Sequence, residues 1–403
     1  MSGPAPLALA WIMIHAAAGS LNVADAARVQ ARRADIGDGT WIDFHNTPRL
    51  SLARAWPTTQ FDAGYAPRLL WLDIGGDNAS PTLVLHTAAL QISFQQPRYT
   101  LSLSQTGVFG DQDYAQLGLA DPTLVAPVSP LPGGPMIMPT LDAVPRVQVL
   151  EVASEETIAD LRYDWSRRLS SSFGASFGFS GGADAAAQQV LPRQRTAMVD
   201  AALDYRASRR DLLSTGLDLA QIHTSNGYDH FWISLMESWG TTWAASSGGE
   251  LGAGVAVQHT NGPAGLDTTD TVPVGTASVW YTMLEQGMEV RFQWGLDYAP
   301  YVDVLAGTLQ SRLATSAQVA LTVDRSSVRS SIGAAQTFPV DDPDATTLLS
   351  ADLMFEQELL DWLIAQLGGQ IVWQSSDGNP LALEGSRWLV YAGLEGRVPE
   401  VRF

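Results

Sequence analysis

The stretch that decides the fold is MEVRFQWGLDY, Met288–Tyr298. Its even-numbered residues are Met, Val, Phe, Trp, Leu and Tyr, and its odd-numbered residues are Glu, Arg, Gln, Gly and Asp. Successive side chains of a strand point to opposite faces, so the stretch predicts a β-strand with one apolar and one polar face. The question that it raises is which of these two faces points into the protein.

Two all-β architectures fit such a strand. In a soluble sandwich the apolar face forms the core, whereas in a membrane barrel it meets lipid and the polar face lines a lumen. Composition favours the barrel, because only 16% of the 403 residues are charged while the chain has 36 glycines, 13 tryptophans and 10 tyrosines. A net charge of −19 argues against nucleic-acid binding, which depends on neutralising phosphates.

The same alternation recurs along the chain, for example in Leu251–Gln258 and Leu349–Glu356. The connections between such segments alternate in length: Ser208–Asp211 and Glu285–Met288 are short, whereas Gly181–Gln194 and Thr260–Thr271 are long. A transmembrane barrel sorts its connections in this way, with short periplasmic turns at one rim and longer extracellular loops at the other. A soluble sandwich has no reason to do so.

We therefore predict an all-β fold, a closed antiparallel transmembrane β-barrel of about 16–18 strands, with eighteen favoured. The barrel is expected to cover residues 40–403. Residues 111–145 form a long loop rich in Pro and Gly, with seven prolines between Pro122 and Pro145. A structureless loop of this length is often functional, and it either folds inward to constrict the pore or caps the mouth from outside.

The first residues carry two further predictions. Leu7–Ala18 is an apolar run that ends in small residues, which is typical of a secretory signal peptide, so residues 1–19 are assigned to a signal. No basic residue precedes the run, which leaves a misplaced start or a short anchor as alternatives. Residues 20–39 are polar and are predicted to be a short periplasmic lead-in.

Taken together, these features resemble Gram-negative outer-membrane β-barrel proteins of the porin type. The resemblance rests on the apolar leader, the alternating segments, the alternating connections and the C-terminal PEVRF. It implies a location in the outer membrane, contact with its lipid and lipopolysaccharide, and Phe403 as the assembly signal for the barrel-assembly machinery. Pro399 shifts the alternation before Phe403, and we expect a β-bulge at that point.

Four segments are similar to the barrel porins associated with polysaccharide export of the myxobacterial type. They are FGFSGGADAAAQQVLPRQR (Phe177–Arg195), YRASRRDLLSTGLDL (Tyr205–Leu219), APYVDVLAG (Ala299–Gly307) and TLLSADL (Thr347–Leu353). This similarity implies a porin-like channel that serves as a conduit for a polysaccharide or another hydrophilic solute. It also implies periplasmic polysaccharide-export components as partners.

The polar faces of the predicted strands supply the residues that we expect to line the lumen. They are Asp160, Arg162, Asp164, Asp200, Asp204, Arg206, Asp218, Glu289, Arg291, Asp297, Asp352 and Glu356. A barrel of this size holds an aqueous channel, and a carboxylate-rich wall favours cations and disfavours polyanions. The alternative is that Asp and Arg pair with one another and only stiffen the wall.

Catalytic chemistry has one candidate. His223 and Ser225 share a strand face, with Asn226 beside them, and a barrel phospholipase uses such a His/Ser pair. We predict no enzyme, no metal site and no cofactor, since the six histidines are scattered and there is no cysteine. A channel is the first hypothesis, a non-conducting structural or surface-interaction barrel is the second, and a lipid-modifying enzyme is the third.

Overall fold

The computed structural model describes residues 19–34, 41–71, 82–113, 149–339, 345–376, 384–398 and 401–402. Its strands are β1 (Gly19–Ala34), β2 (Trp41–Ala55), β3 (Thr59–Trp71), β4 (Thr82–Gln95), β5 (Tyr99–Asp113), β6 (Val149–Asp164), β7 (Leu169–Ser180), β8 (Gln194–Arg206), β9 (Asp211–Thr224), β10 (Asp229–Ala244), β11 (Ser247–Gly262), β12 (Leu266–Glu285), β13 (Met288–Val302), β14 (Leu309–Val323), β15 (Ser326–Pro339), β16 (Thr346–Leu360), β17 (Leu363–Ser376), β18 (Gly385–Arg397) and β19 (Val401–Arg402). Helix α1 spans Ala185–Val190, and a 3-10 turn spans Pro263–Gly265.

These strands form one antiparallel sheet that closes on itself. Each strand pairs with its sequence neighbours, and β1 also pairs with β18 and with the short β19 that continues it. The result is a closed barrel with 18 wall strands, which confirms the predicted fold class. Among the described residues, no helix is long and apolar enough to cross a membrane.

The connections separate the barrel into two rims. After each even-numbered strand from β2 to β16 the chain turns within two to four residues, and all these turns lie at one end, which we call the short-turn rim. The other connections lie at the opposite, long-loop rim. The long loop expected at Thr260–Thr271 is wrong, because β11 continues to Gly262 and pairs with β12 from Leu266 onward through one 3-10 turn. The loop expected at residues 111–145 lies outside the described residues, apart from the end of β5.

The N-terminal lead-in predicted for residues 20–39 is also wrong. Gly19–Ala34 instead forms β1, which pairs with β2 on one side and with β18 on the other. The physical reason is closure: without β1, the facing edges of β2 and β18 would leave their backbone N–H and C=O groups without partners in lipid. The expected signal peptide, residues 1–19, lies outside the described residues except for Gly19.

The seam of the barrel contains the expected bulge. Between Ala24↔Arg397 and Leu21↔Val401, the register advances four positions along the C-terminal strand but only three along β1. One extra residue is therefore accommodated next to Pro399, as a β-bulge requires. Phe403 itself lies outside the described residues.

The two faces of the wall differ in the sense that Met288–Tyr298 predicts. Large apolar side chains are exposed on the outer face, including Leu251 at 62%, Leu353 at 54% and Val390 at 48%. Polar side chains such as Gln258, Gln374 and Glu395 are buried on the inner face. A closed sheet with an apolar exterior pairs the backbone groups of each strand with those of its neighbours, which is the requirement for crossing a membrane with strands.

Leu353 tests this assignment because it lies in the middle of β16 on the outer face. We expect Leu353→Arg to lower the free energy of unfolding by about 2–4 kcal/mol, since a guanidinium is then placed in hydrocarbon. Ser350→Arg, on the inner face of the same strand, is the control and should change it little. Denaturant titration of the protein refolded into lipid vesicles measures both, and equal losses would contradict a lipid-facing exterior.

Candidate functional site

The inner face of the barrel is the candidate site. All twelve residues proposed for the lumen occupy inner-face positions, because each alternates with exposed apolar neighbours such as Leu161, Val199, Leu217 and Leu353. They lie on β6, β8, β9, β13 and β16. From a strand spacing of about 4.8 Å and a tilt of about 40°, opposite walls of such a barrel are ~35 Å apart.

Five of the carboxylates lie close together on β6, β8 and β9, and we call them the acidic arc: Asp160, Asp164, Asp200, Asp204 and Asp218. Asp200 faces Asp218 directly across the β8–β9 ladder, and Asp160 is reached from Asp200 across Gly174 of β7. Gly174 provides the space, since a Cβ there would come within 2.2 Å of the Asp200 carboxylate. Hydroxyl groups donate hydrogen bonds to the acidic arc: Ser234 donates to Asp218 at 2.9 Å, and Ser214 donates to Asp204 at 2.5 Å.

The remaining candidates are mostly paired, as the alternative hypothesis expects. Arg291 lies 2.6 Å from Glu289, Arg162 lies 3.5 Å from Asp164, and Glu356 receives Arg329 at 3.6 Å. Asp352 accepts from the hydroxyl of Ser331. Arg206 ends β8 opposite Leu212, and Asp297 faces Thr276 and Ala314 in register.

A second polar network on β1, β2, β17 and β18 was missed, because β1 was not recognised as a wall strand. Arg28 donates to Gln366 at 3.0 Å, and Gln366 donates to the buried Glu395 at 3.2 Å. Gln30 donates to the fully buried Asp43 at 3.2 Å, and the Arg28 guanidinium lies 5.3 Å from the centre of the Tyr391 ring. This network lies four to nine strands round the wall from the acidic arc.

Two connections at the long-loop rim fold into the lumen and meet there. The first is the β7–β8 connection, residues 181–193, which contains α1; the second is the β13–β14 connection, residues 303–308. We call these two segments together the lumen bridge. The sequence gives one local signal for it: Val302, Val304 and Leu305 are apolar although the chain leaves the wall after Val302.

The β13–β14 half of the lumen bridge is a tight turn built on Asp303. The Asp303 carboxylate accepts from the backbone N–H groups of Leu305 and Ala306, both at 2.8 Å. The backbone carbonyl of Asp303 accepts from the N–H of Gly307 at 2.7 Å. Asp303 is only 2% exposed, and burial raises the pKa of its carboxyl above the ordinary value, which the two N–H bonds partly offset.

Three side chains, from β8, β10 and the β9–β10 connection, hold this turn. His230 Nε2 donates to the carbonyl of Gly307 at 2.7 Å, Asn226 Nδ2 donates to that of Ala306 at 2.8 Å, and Gln194 Nε2 donates to that of Asp303 at 3.4 Å. His230 is 1% exposed and also contacts Thr260 Oγ1 through Nδ1, at 3.1 Å. The bonds from His230 and Asn226 satisfy carbonyl groups of the turn, and the bond from Gln194 is a second one to the Asp303 carbonyl.

Apolar packing then carries the lumen bridge to the opposite wall. Leu305, 2% exposed, belongs to one buried cluster with Ala187 and Leu191 of the β7–β8 connection and with the wall residues Leu85, Leu150 and Val152. The wall residues lie on β4 and β6, seven to nine strands from β13 and β14 in a ring of 18. The lumen bridge therefore spans the lumen near the long-loop rim.

The proposed His/Ser pair is not assembled. His223 is on the outer face and its Nδ1 lies 2.5 Å from Asp229 Oδ1, whereas the Ser225 hydroxyl accepts from the backbone N–H of Arg193 at 3.0 Å. The reason is that β9 ends at Thr224, so Ser225 no longer follows the alternation of the strand. In the part of the chain that the structure describes, no three His, Cys, Asp or Glu residues are placed to hold a metal ion.

Comparison with known families decides what kind of barrel this is. The model of the EpsX exopolysaccharide export family matches residues 13–376, which is most of the chain. The chain belongs to the EpsX family. This EpsX-family protein is thus a member of a family that is named for exopolysaccharide export. No curated protein matches the EpsX chain in sequence.

Solved structures also resemble the EpsX chain in fold, at low sequence identity. The outer membrane protein opdK from Pseudomonas aeruginosa has 8% identity and a TM-score of 0.45, over 95% of this chain and 99% of that one. A BenF-like porin from Pseudomonas fluorescens Pf-5 has 8% identity and a TM-score of 0.44, over 96% and 99%. The FrpB iron transporter from Neisseria meningitidis has 9% identity and a TM-score of 0.47, and the EpsX chain spans 64% of its length.

Asp303 makes the stability of the lumen bridge depend on pH. Its raised pKa means that the folded turn holds the proton more tightly than the unfolded chain, so the turn is most stable in acid and loosens as pH rises from the ordinary aspartate value through the raised one. Asp303→Asn keeps an oxygen for both N–H groups and removes the charge. We expect deuterium uptake by residues 299–308, compared at matched pH, to diverge between the two proteins as pH rises, and parallel uptake would contradict this.

Proposed function

We propose that this EpsX-family protein is the outer-membrane conduit of an exopolysaccharide export system, and that the lumen bridge is its gate. The observation that carries the proposal is the combination of a wide, polar inner face with two wall-anchored segments that meet across it. The barrel wall alone leaves room for an aqueous channel. The bridge then decides how much of that room is open at the long-loop rim.

The chemistry of the wall suits a hydrated sugar polymer. The acidic arc is surrounded by small hydroxyl side chains such as Ser102, Ser170 and Ser214, which exchange hydrogen bonds with sugar hydroxyls as water does. Small residues, including Gly174 and Gly252, leave the wall smooth. A carboxylate-lined arc repels a polyanion and tolerates a neutral or basic glycan, so we infer a polymer without dense negative charge.

The lumen bridge also supports a second candidate, a barrel that does not conduct. A turn held by His230 and Asn226 and sealed by Leu305 is a built structure rather than a loose loop. If it never opens, the barrel serves as a structural or surface-interaction protein. Opening requires only that the β13–β14 turn leave its anchors, whereas the wall strands keep all their partners.

The orientation and partners follow from the rims. Both β1 and the C-terminal strand have their free ends at the short-turn rim, which we assign to the periplasm, so the long-loop rim faces outward. Periplasmic export components would then dock at the short-turn rim. Cleavage of a signal peptide covering residues 1–19 would leave β1 at the mature N-terminus, and Phe403 would be the signal for the barrel-assembly machinery. Outer-membrane lipid and lipopolysaccharide surround the wall.

A catalytic role is not proposed, because His223 and Ser225 have separate partners. The twelve inner-face residues are proposed to act by charge and hydration instead. Asp160, Asp200 and Asp218 carry most of this role, since they accept from the Ser102 hydroxyl, the Gly174 backbone N–H and the Ser234 hydroxyl respectively, and not from arginines.

Selectivity tests the acidic arc. We expect the triple variant Asp160→Asn/Asp200→Asn/Asp218→Asn to lose most of the cation preference of the channel, because three inner-face charges are neutralised. The matched control Asp229→Asn/Asp267→Asn/Glu237→Gln removes three charges from the outer face and should leave it unchanged. Reversal potentials in a planar bilayer under a salt gradient measure both, and an equal shift in the two variants would count against a conducting lumen lined by the arc.

The gate has its own test. Leu305→Asp places a charge in the buried apolar cluster, so we expect the lumen bridge to open, with higher single-channel conductance and passage of longer neutral oligosaccharides into vesicles. Leu284→Asp, at an exposed position beside the short-turn rim, is the control and should have no effect. If neither the wild type nor Leu305→Asp conducts although both are folded, the non-conducting barrel is the better description.

A further inference from the structure

Polar residues also occur where lipid is expected, on the outer face of β1–β6. Three hydrogen-bonded pairs lie there: Asn46 donates to Asp25 at 2.9 Å, Tyr65 Oη lies 2.7 Å from His86 Nδ1, and Gln105 donates to Glu155 at 2.6 Å. We call these six residues the outer polar belt. Five of the six side chains are exposed, and Asn46 is half-buried.

The three pairs occupy equivalent positions in three successive hairpins. Asp25, Tyr65 and Gln105 each lie six residues after the first residue of β1, β3 and β5. Asn46, His86 and Glu155 each lie nine residues before the last residue of β2, β4 and β6. The outer polar belt is therefore one band at constant height around a third of the wall, rather than three unrelated substitutions.

This band lies inside the apolar zone and not at its edge. Towards the short-turn rim the same strands expose Val23, Leu50 and Leu103, and towards the long-loop rim they expose Val29, Ile42 and Phe109. Ionisable groups within the hydrocarbon are costly unless another polar surface covers them, so such residues mark contacts or function. The headgroups of lipopolysaccharide lie at the outer edge of the membrane and do not reach this level.

The shape of the same surface suits close contact with another protein. Ala88 and Gly107 lie between the second and third pairs, where Ala88 faces both Tyr65 and Gly107, and Gly107 faces Glu155. Small residues let two membrane-embedded surfaces approach, and polar side chains then bond between them. Six strands about 4.8 Å apart and an apolar zone about 25 Å tall give an area on the order of 600 Å², near the ~800 Å² per partner of a stable interface.

We propose that the outer polar belt is a homodimer interface, and that its occupant is the belt of a second copy of this chain. A two-fold axis that passes between Tyr65 and His86 sets Tyr65 of one copy against His86 of the other, and Asn46 against Gln105, so hydroxyl, imidazole and amide groups meet across the interface. Asp25 and Glu155 lie at the two ends of the belt, where the convex walls of two barrels diverge. The four groups between these two carboxylates are hydroxyl, imidazole and amide groups that can donate and accept hydrogen bonds, so this part of the belt is complementary to a second copy of itself. The association closes polar groups away from lipid on both copies.

Cross-linking tests the contact directly, because the chain has no cysteine of its own. Ala88→Cys places a thiol in the belt, and Leu367→Cys places one on the outer face of β17, two strands beyond β1 and five strands from β4 in the ring of 18. Oxidation in outer-membrane vesicles should give at least tenfold more covalent dimer for Ala88→Cys. Equal yields, or a product of Ala88→Cys with a different protein, would overturn the proposal.

Replacing the polar side chains of the outer polar belt is the second test of the dimer. We expect Asp25→Leu/Asn46→Leu/Tyr65→Phe/His86→Leu/Gln105→Leu/Glu155→Leu to fold and to be monomeric by light scattering in mild detergent, since whole pairs are removed and no polar partner is left behind. The matched control Thr215→Val/Glu237→Leu removes an outer-face pair on β9 and β10 and should stay dimeric, like the wild type. A monomeric wild type, or a dimeric belt variant, would also overturn the proposal.

Discussion

The constraint on which the structure depends is that no backbone N–H or C=O of the wall can be left without a partner in lipid. An open sheet of any width has two unsatisfied edges, so the 18 strands are stable in a membrane only as a ring. This explains why Gly19–Ala34, despite its polar sequence, is a wall strand: it joins β2 to β18. It also explains why the C-terminal strand resumes as Val401–Arg402 beyond Pro399, because the ring needs pairing along the whole of β1.

The wall could be predicted where each strand keeps its two-residue period. Met288–Tyr298 and Leu349–Glu356 alternate without error, so their faces follow from residue type alone, and the parity of the connections then gives the even strand number. β1 could not be predicted in this way. Its outer face contains Asp25 between Val23 and Val29, and that polar residue hides the alternation. Residue pattern also misplaced the β11–β12 loop, since polar strands beyond the membrane resemble loops.

The candidate site was predictable only in part. The positions of the twelve inner-face residues follow from the alternation, but whether each is paired depends on the register between strands. Gly174 of β7, for example, faces Asp200 of β8 and leaves room for its carboxylate. The lumen bridge was not foreseen. His230 and Leu305 are 75 positions apart in the numbering, and their burial results from a turn that folds back into the lumen. The apolar Val302, Val304 and Leu305 are the one local sign of that turn in the sequence. The second polar network, on β1, β2, β17 and β18, was missed because β1 was not recognised as a strand.

The seam has a consequence for how the chain matures. The partners of the seam, such as Ala24 and Arg397, are separated by nearly the whole sequence, so β1 waits with an unpaired edge until the last strand is delivered. An exposed edge invites pairing with the wrong chain, and charged side chains on it discourage such pairing. Asp25, Arg28, Arg32 and Arg33 lie on this strand. The residues that obscure β1 as a strand in the sequence therefore protect it against aggregation while the barrel is still incomplete.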